Sequence, residues 1–205
     1  MKKLIKGILD FKKDSQKHYC EKFSDLATGQ SPHTLLISCC DSRVVPNIFT
    51  AQDPGDLFVL RNIGNLVPPY QAKGDSSVAA ALEYSVFKLK VANIVVCGHS
   101  GCGAMAASLE KELPKEFEAI KSWLEFANPS QQKLEQNLLK NADLTPQNRL
   151  SQINVVQQLE HLKTYPYITE RIQNNELEIH GIWFDLKTAD VYKYEQKDKK
   201  FALIK

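Results

Sequence analysis

The apolar positions of this chain change period along its length, and the change predicts its elements. Leu4, Ile8 and Phe11 recur at i, i+4 and i+7, which marks one face of a helix. Ser15 stands where a helix N-cap would, and Tyr19, Phe23 and Leu26 form a second such face. These stripes can pack on their own domain or on another surface. After the turn Gly29 to Pro32, residues 34 to 38 are apolar or small on both faces, as in a strand covered on both sides. Leu57 to Leu60 and Ile94 to Cys97 predict two further strands. Pro46 to Gly55 reads as a loop or short helix, and the Gly-, Pro- and Asn-rich residues 61 to 76 as irregular. Between the strands, Val78, Leu82, Val86 and Leu89 mark a helix that Ser76 or Ser77 can cap. Another helix starts at Cys102 and carries Ala104 to Leu109.

Residues 114 to 175 show helical periods only. One helix is marked by Ile120, Trp123 and Leu124, and a second by Leu134, Leu138 and Leu139. A third is marked by Val155, Val156, Leu159 and Leu162 and is expected to end before Pro166. Leu177 to Asp185 predicts a fourth strand, and Val191, Tyr192 and Tyr194 an edge strand blunted by Lys and Glu. Strands alternating with helices predict an α/β fold. The expectation is a mainly parallel four-stranded sheet with an added antiparallel edge strand and helices on both faces.

A length of 205 residues allows one domain, or one domain with an appended arm. A net charge of +2 gives no footprint for nucleic acid or a membrane surface. Lys6 and Asp10 interrupt the only apolar stretch near the start, so it does not read as a secretory signal. No run reaches the roughly 18 apolar residues of a membrane helix. Five cysteines without regular spacing argue against a disulfide framework and suit a reducing compartment, so the expected location is cytoplasmic.

Candidate chemistry gathers at the ends of two strands. Ser38-Cys39-Cys40-Asp41-Ser42-Arg43 follows the first, and Cys97-Gly98-His99-Ser100-Gly101-Cys102-Gly103 follows the third. Loops at the carboxyl ends of parallel strands share one edge of the sheet, where ligands bind. Cys39, His99 and Cys102 can therefore converge as thiolate and imidazole ligands of zinc. Three protein ligands leave one position open, which is the pattern of a catalytic site. Asp41 and Arg43 lie two apart and point the same way in an extended segment, where a guanidinium can clamp a carboxylate. Cys40 faces away, and Cys20 and Cys97 read as structural. Read singly, the ligands could be core cysteines and a turn histidine, and the Asp–Arg pair a surface ion pair.

Together, Cys-x-Asp-x-Arg followed by His-x-x-Cys resembles the signature pair of the β-class carbonic anhydrases. Gly29-Gln30-Ser31-Pro32, Pro54-Gly55, Arg61-Asn62 and Asn65-Leu66-Val67-Pro68-Pro69-Tyr70 extend the similarity from about Phe23 to Leu109. The resemblance implies a zinc lyase that hydrates carbon dioxide to bicarbonate, with one Zn2+ per chain. It implies a homodimer or dimer of dimers, with residues 1–28 as a helical arm on a partner subunit and 29–205 as the catalytic domain. It implies that Gln30 reaches the active site across the dimer interface, and that Phe58, Ile63, Gly64 and Tyr84 line the substrate pocket. A carbon disulfide or carbonyl sulfide hydrolase, or a non-catalytic zinc or bicarbonate module, stays open on the same scaffold. Some members of that family also carry a regulatory bicarbonate pocket. Its positions read here as Leu36, Arg61 and Phe184, which lack the indole and hydroxyl donors such a pocket uses.

Overall fold

Six consecutive residues, Thr34–Cys39, form strand β1, and all six are buried. A strand buried on both faces needs neighbours on both edges and cover on both sides, and that requirement organises the fold. In the computed structural model, which describes residues 1–72, 76–136 and 144–205, β1 pairs in parallel with β2 (Leu57–Asn62) and β3 (Asn93–His99). Strand β4 (Glu178–Phe184) adds in parallel to β3, and β5 (Val191–Glu195) and β6 (Lys200–Leu203) follow antiparallel. The sheet order is β2-β1-β3-β4-β5-β6.

The four parallel strands match the expectation. The antiparallel margin has two strands rather than one, so β5 is interior and β6 is the edge. Strand β6 escapes a periodicity reading because Lys199, Lys200 and Lys205 surround its short core of Phe201, Ala202 and Leu203.

Alternate residues of β1 feed opposite cores. Leu35 and Ile37 join Ile94, Val96, Val155 and Leu159 in the larger one. Leu36 joins Cys97 and Phe184, packed against Phe49 on the other face. The larger core is covered by α4 (Ser77–Glu83), α8 (Pro146–Leu162) and α9 (Pro166–Gln173). The other face carries the short helix α3 (Pro46–Phe49). Helix α4 runs on into a π turn, Tyr84–Lys88. Helices α5 (Gly103–Leu109), α6 (Glu118–Leu124) and α7 (Asn128–Glu135) pack around a third cluster that includes Cys39 and Cys102. Leu138 and Leu139, expected on a helix with Leu134, lie outside the described residues.

Helix α8 starts at Thr145, whose side chain accepts the Asn148 N–H, with Pro146 in the first turn. Eleven of its 17 residues are buried. It lies unusually close to the sheet, because a Cβ on Gly98 would sit 2.6 Å from Val155 Cγ2. Helix α8 ends at Leu162, before Pro166 as expected, and Pro166 then opens α9. Proline suits both places, since its missing N–H is unpaired in a first turn anyway. At the other end of the chain, α1 (Lys2–Asp14) and α2 (Gln16–Leu26) contain no buried residue.

Candidate metal centre

Cys39 is the last residue of β1 and His99 the last of β3, and these strands are neighbours. Three residues after His99, Cys102 is the N-cap of α5. The sheet edge thus gathers the three groups that the sequence separates. The Cys39 and Cys102 sulfurs lie 4.0 Å apart, and all three donor atoms fall within 4.8 Å of one another. All three residues are buried, and among the described residues this is the one such group that could hold a metal ion.

The donor set fits zinc. A tetrahedral ion with sulfur at about 2.3 Å and nitrogen at about 2.0 Å sets its ligands about 3.5–3.8 Å apart. The imidazole is already oriented for this: His99 Nδ1 donates to the Ser100 carbonyl at 2.9 Å, which leaves Nε2 as the acceptor. That Nε2 is buried and has no hydrogen-bond partner. A buried polar atom without a partner costs about 1–3 kcal/mol, and a cation at this position removes the cost.

The sulfurs point to the same conclusion. The hydrogen bond from Cys102 is the main reason that the Cys39 thiol ionises far below its ordinary range. Burial opposes ionisation, while His99 and the backbone N–H groups of Gly64 and Asp41 assist it. The same shared proton, with burial, pushes the Cys102 thiol up. Two adjacent thiolates repel each other, and a divalent cation resolves that conflict. Cys40 is exposed and Cys97 is a fully buried core residue, as expected. Burial pushes the Cys97 thiol up to about 12, so it stays protonated. Cys20 is exposed on α2.

Asp41 and Arg43 form the expected clamp. Arg43 Nε donates to Asp41 Oδ1 at 2.9 Å and a terminal nitrogen donates to Oδ2 at 2.6 Å. The Arg43 backbone N–H adds a third bond to Oδ1, and the guanidinium also reaches the Gly101 carbonyl at 3.0 Å. Hydrogen bonds from the Arg43 side chain hold the Asp41 carboxyl well below the usual carboxylate range. Asp41 Oδ2 lies 4.0 Å from His99 Nε2, beside the ligand cluster rather than within it. Arg61 donates to the carbonyls of Cys39 (3.0 Å) and Asp41 (2.7 Å), which fixes the backbone that carries both groups.

The other sequence-predicted residues divide into two sets. Gly64 and Ile63 flank Cys39, and the Gly64 N–H lies 3.4 Å from its sulfur. Gly64 has φ +77°, and a Cβ there would meet Ala104 Cβ at 2.9 Å, so the turn requires glycine. Phe58 pairs with Leu35 near the amino end of the sheet, four residues and about 13 Å of strand from Cys39. Its ring packs on Tyr84 at 5.8 Å. Gln30 is exposed and precedes β1, at the opposite edge from the ligand cluster. The single chain therefore does not bring Gln30, Phe58 or Tyr84 to its own metal ligands.

Sequence reasoning missed the polar stripe of α8. Asn148 Oδ1 accepts the Gly101 N–H at 2.8 Å, and Ser151 donates to the His99 carbonyl at 2.8 Å. Asn154 donates to the Gly64 carbonyl at 3.0 Å, and Gln158 accepts the Val67 N–H at 2.9 Å. His161 Nδ1 donates to the Val67 carbonyl at 2.7 Å. Positions 148, 151, 154, 158 and 161 share one helix face, so one helix holds both the loop that carries His99 and Cys102 and the 63–67 turn whose Gly64 N–H meets Cys39. A five-membered neutral polar stripe at helical spacing is the signal that could have revealed it.

Known proteins resemble this chain over most of its length. The family model described as Carbonic anhydrase matches residues 34–191. A carbonic anhydrase of Helicobacter pylori (strain J99) is 37% identical over 92% of this chain and 87% of that protein. A carbonic anhydrase of Pseudomonas aeruginosa is 36% identical over 98% of this chain and 91% of that protein. The solved structure of the β-carbonic anhydrase CcaA superposes with a TM-score of 0.93 at 34% identity, covering all of this chain and 92% of that one. A β-carbonic anhydrase from Sordaria macrospora, described as tetrameric, gives 0.81 at 31% identity over 93% and 94% of the two chains. The chain belongs to the β-class carbonic anhydrases. Among its described residues no helix is long and apolar enough to cross a membrane.

Proposed function

We propose that the chain interconverts carbon dioxide and water with bicarbonate and a proton, using one Zn2+ per chain held by Cys39, His99 and Cys102. The observation that carries this is the partnerless, buried His99 Nε2, which faces two sulfurs beside a clamped Asp41. When bound, zinc supplies the Lewis acidity that makes water a nucleophile near neutral pH. Asp41 accepts a hydrogen bond from the attacking water and aims its lone pair at carbon. Arg43 keeps that carboxylate ionised and off the fourth ligand position. Ile63 and Gly64 shape the near wall of the pocket.

Gln30 precedes β1, and Phe58, with Tyr84 packed on it, lies near the amino end of the sheet, away from their own chain's ligands. We assign them to the site of a partner subunit, where the Gln30 amide polarises a carbon dioxide oxygen and the rings form the apolar wall. This makes the working unit a homodimer, alone or in a dimer of dimers, with residues 1–28 as the arm on the partner and 29–205 as the catalytic domain. The tetrameric description of the Sordaria macrospora relative supports such an assembly. The thiolate ligand set suits a reducing, cytoplasmic setting, and the modest charge supports neither nucleic acid nor membrane as partner.

No regulatory bicarbonate pocket belongs to this reading. Leu36 and Phe184 are buried in an apolar cluster, Phe184 stacks on Phe49 at 4.6 Å, and Arg61 is committed to two carbonyls. An anion there would lack the donors that offset its desolvation. Bicarbonate titrated at fixed pH and ionic strength is expected to inhibit without cooperativity.

Stopped-flow carbon dioxide hydration on zinc-loaded protein tests the activity. Cys102→Ser is expected to lose zinc and activity together, while Cys40→Ser keeps both. Full zinc occupancy in the Cys102 variant would remove the assignment.

A further inference from the structure

One peptide group beside the ligand cluster is gripped at both ends. The Ile63 carbonyl accepts the Trp123 indole N–H at 2.7 Å. The N–H of that same peptide belongs to Gly64 and donates to Cys39 Sγ at 3.4 Å. The following carbonyl, Gly64 C=O, is held by Asn154 at 3.0 Å, so the turn cannot rotate without breaking a second bond. Trp123 projects from α6, and its ring is braced edge-on by Phe126 at 5.5 Å.

Amide resonance links the two ends of a peptide group. A hydrogen bond to the carbonyl draws density from nitrogen and makes the N–H a stronger donor, a cooperative gain of about 10–30% per bond. A thiolate that accepts a stronger hydrogen bond has less charge to give a metal. Outer-shell donors of this kind tune a bound metal as its ligands do.

We propose that Trp123 is a positioning residue for the hydration reaction: its indole N–H pins and polarises the Ile63–Gly64 peptide, which limits electron donation from the Cys39 thiolate to the metal. The proposal rests on the reading of Cys39 as a zinc ligand. It gives Trp123 a task beyond packing, although it lies on a helix that contributes no ligand.

Trp123→Phe keeps an aromatic ring and removes the donor. Three readouts are expected to move together. In zinc-free protein the Gly64 amide proton resonance shifts upfield. In cobalt-substituted protein the thiolate-to-metal charge-transfer band shifts to lower energy. In zinc protein the midpoint of kcat against pH moves upward, and kcat at pH 7 falls about tenfold with KM unchanged. If Phe does not support folding, the benzothiophene analogue of tryptophan at position 123 preserves the shape without the N–H and carries the same expectations. A lowered melting temperature with unmoved Gly64 resonance and cobalt band would show a packing role only and overturn the proposal. A wild-type protein that binds neither cobalt nor zinc would overturn the ligand reading itself, and that is seen before any variant is made.

Discussion

Helix α1 and helix α8 differ in what their patterns require. In α1, Leu4, Ile8 and Phe11 form a clean apolar stripe, yet each stays between 42% and 61% exposed and no residue of the helix is buried. In α8, polar and apolar residues are mixed around the helix, and eleven of 17 are buried. An apolar stripe is satisfied by any apolar cover, so it can wait for a partner subunit. A buried polar stripe needs specific partners within the chain, and α8 finds them in the backbone of the His99–Cys102 loop and of the turn beside Cys39. The first helix is fit for assembly and the second for positioning.

The largest expected break in this comparison comes from Asn154→Leu. It leaves the Gly64 carbonyl, the Gln158 amide and the Ser130 hydroxyl without their partner. At about 1–3 kcal/mol for each group stranded in the interior, a loss of about 3–5 kcal/mol is expected in urea denaturation. A variant as stable as the parent would mean that water replaces the amide.

A smaller effect follows from His161 at the end of the same stripe. Burial lowers its pKa from the ordinary 6.5, against the raising effect of its bond to the Val67 carbonyl. The unfolded chain therefore takes up a proton that the folded chain resists. Its stabilising contribution is complete above about pH 6.5 and is lost as pH falls below it. The urea midpoint should decline between pH 7.5 and 5.5, and His161→Gln should flatten that decline. An identical decline in the variant would place the acid sensitivity elsewhere.

The smallest effect on the chain's own stability is expected in α1. Leu4→Glu combined with Ile8→Glu should change that stability by no more than about 0.5 kcal/mol, because neither side chain is buried. The sedimentation coefficient should nonetheless drop as assembly weakens. An unchanged oligomer would show that α1 is not an interface.

The two helices also mark where sequence reading succeeds. The parallel strands were legible because a strand covered on both faces is apolar throughout, as in Leu35, Leu36 and Ile37. Cys39, His99 and Cys102 were legible because softness and strand-end placement restrict what such residues can do together. The stripe from Asn148 to His161 was not, because Asn, Ser and Gln at helical spacing usually mean a solvated face. The close approach of α8 over Gly98 and Gly181 is what turns that face inward. Pro166 was ambiguous for a related reason, since proline stops one helix and starts another with the same ring. Strand β6 was hidden because a neighbour with free hydrogen-bonding groups recruits it, and its own composition does not.

Gln30 enters β1 at the edge of the sheet opposite to the one Cys39 leaves by, and this geometry has a genetic consequence. If each site draws its amide from one subunit and its metal ligands from the other, two inactive proteins can rescue each other. A subunit with Gln30→Ala supplies intact ligands, and one with Cys102→Ser supplies an intact amide. In a freely exchanged equal mixture half of the dimers are mixed, and each of these holds one complete site and one doubly defective site. Activity should return to about one site in four, although both parents are silent. It should also vanish on dilution below the dimer dissociation constant, where no chain can complete a site alone.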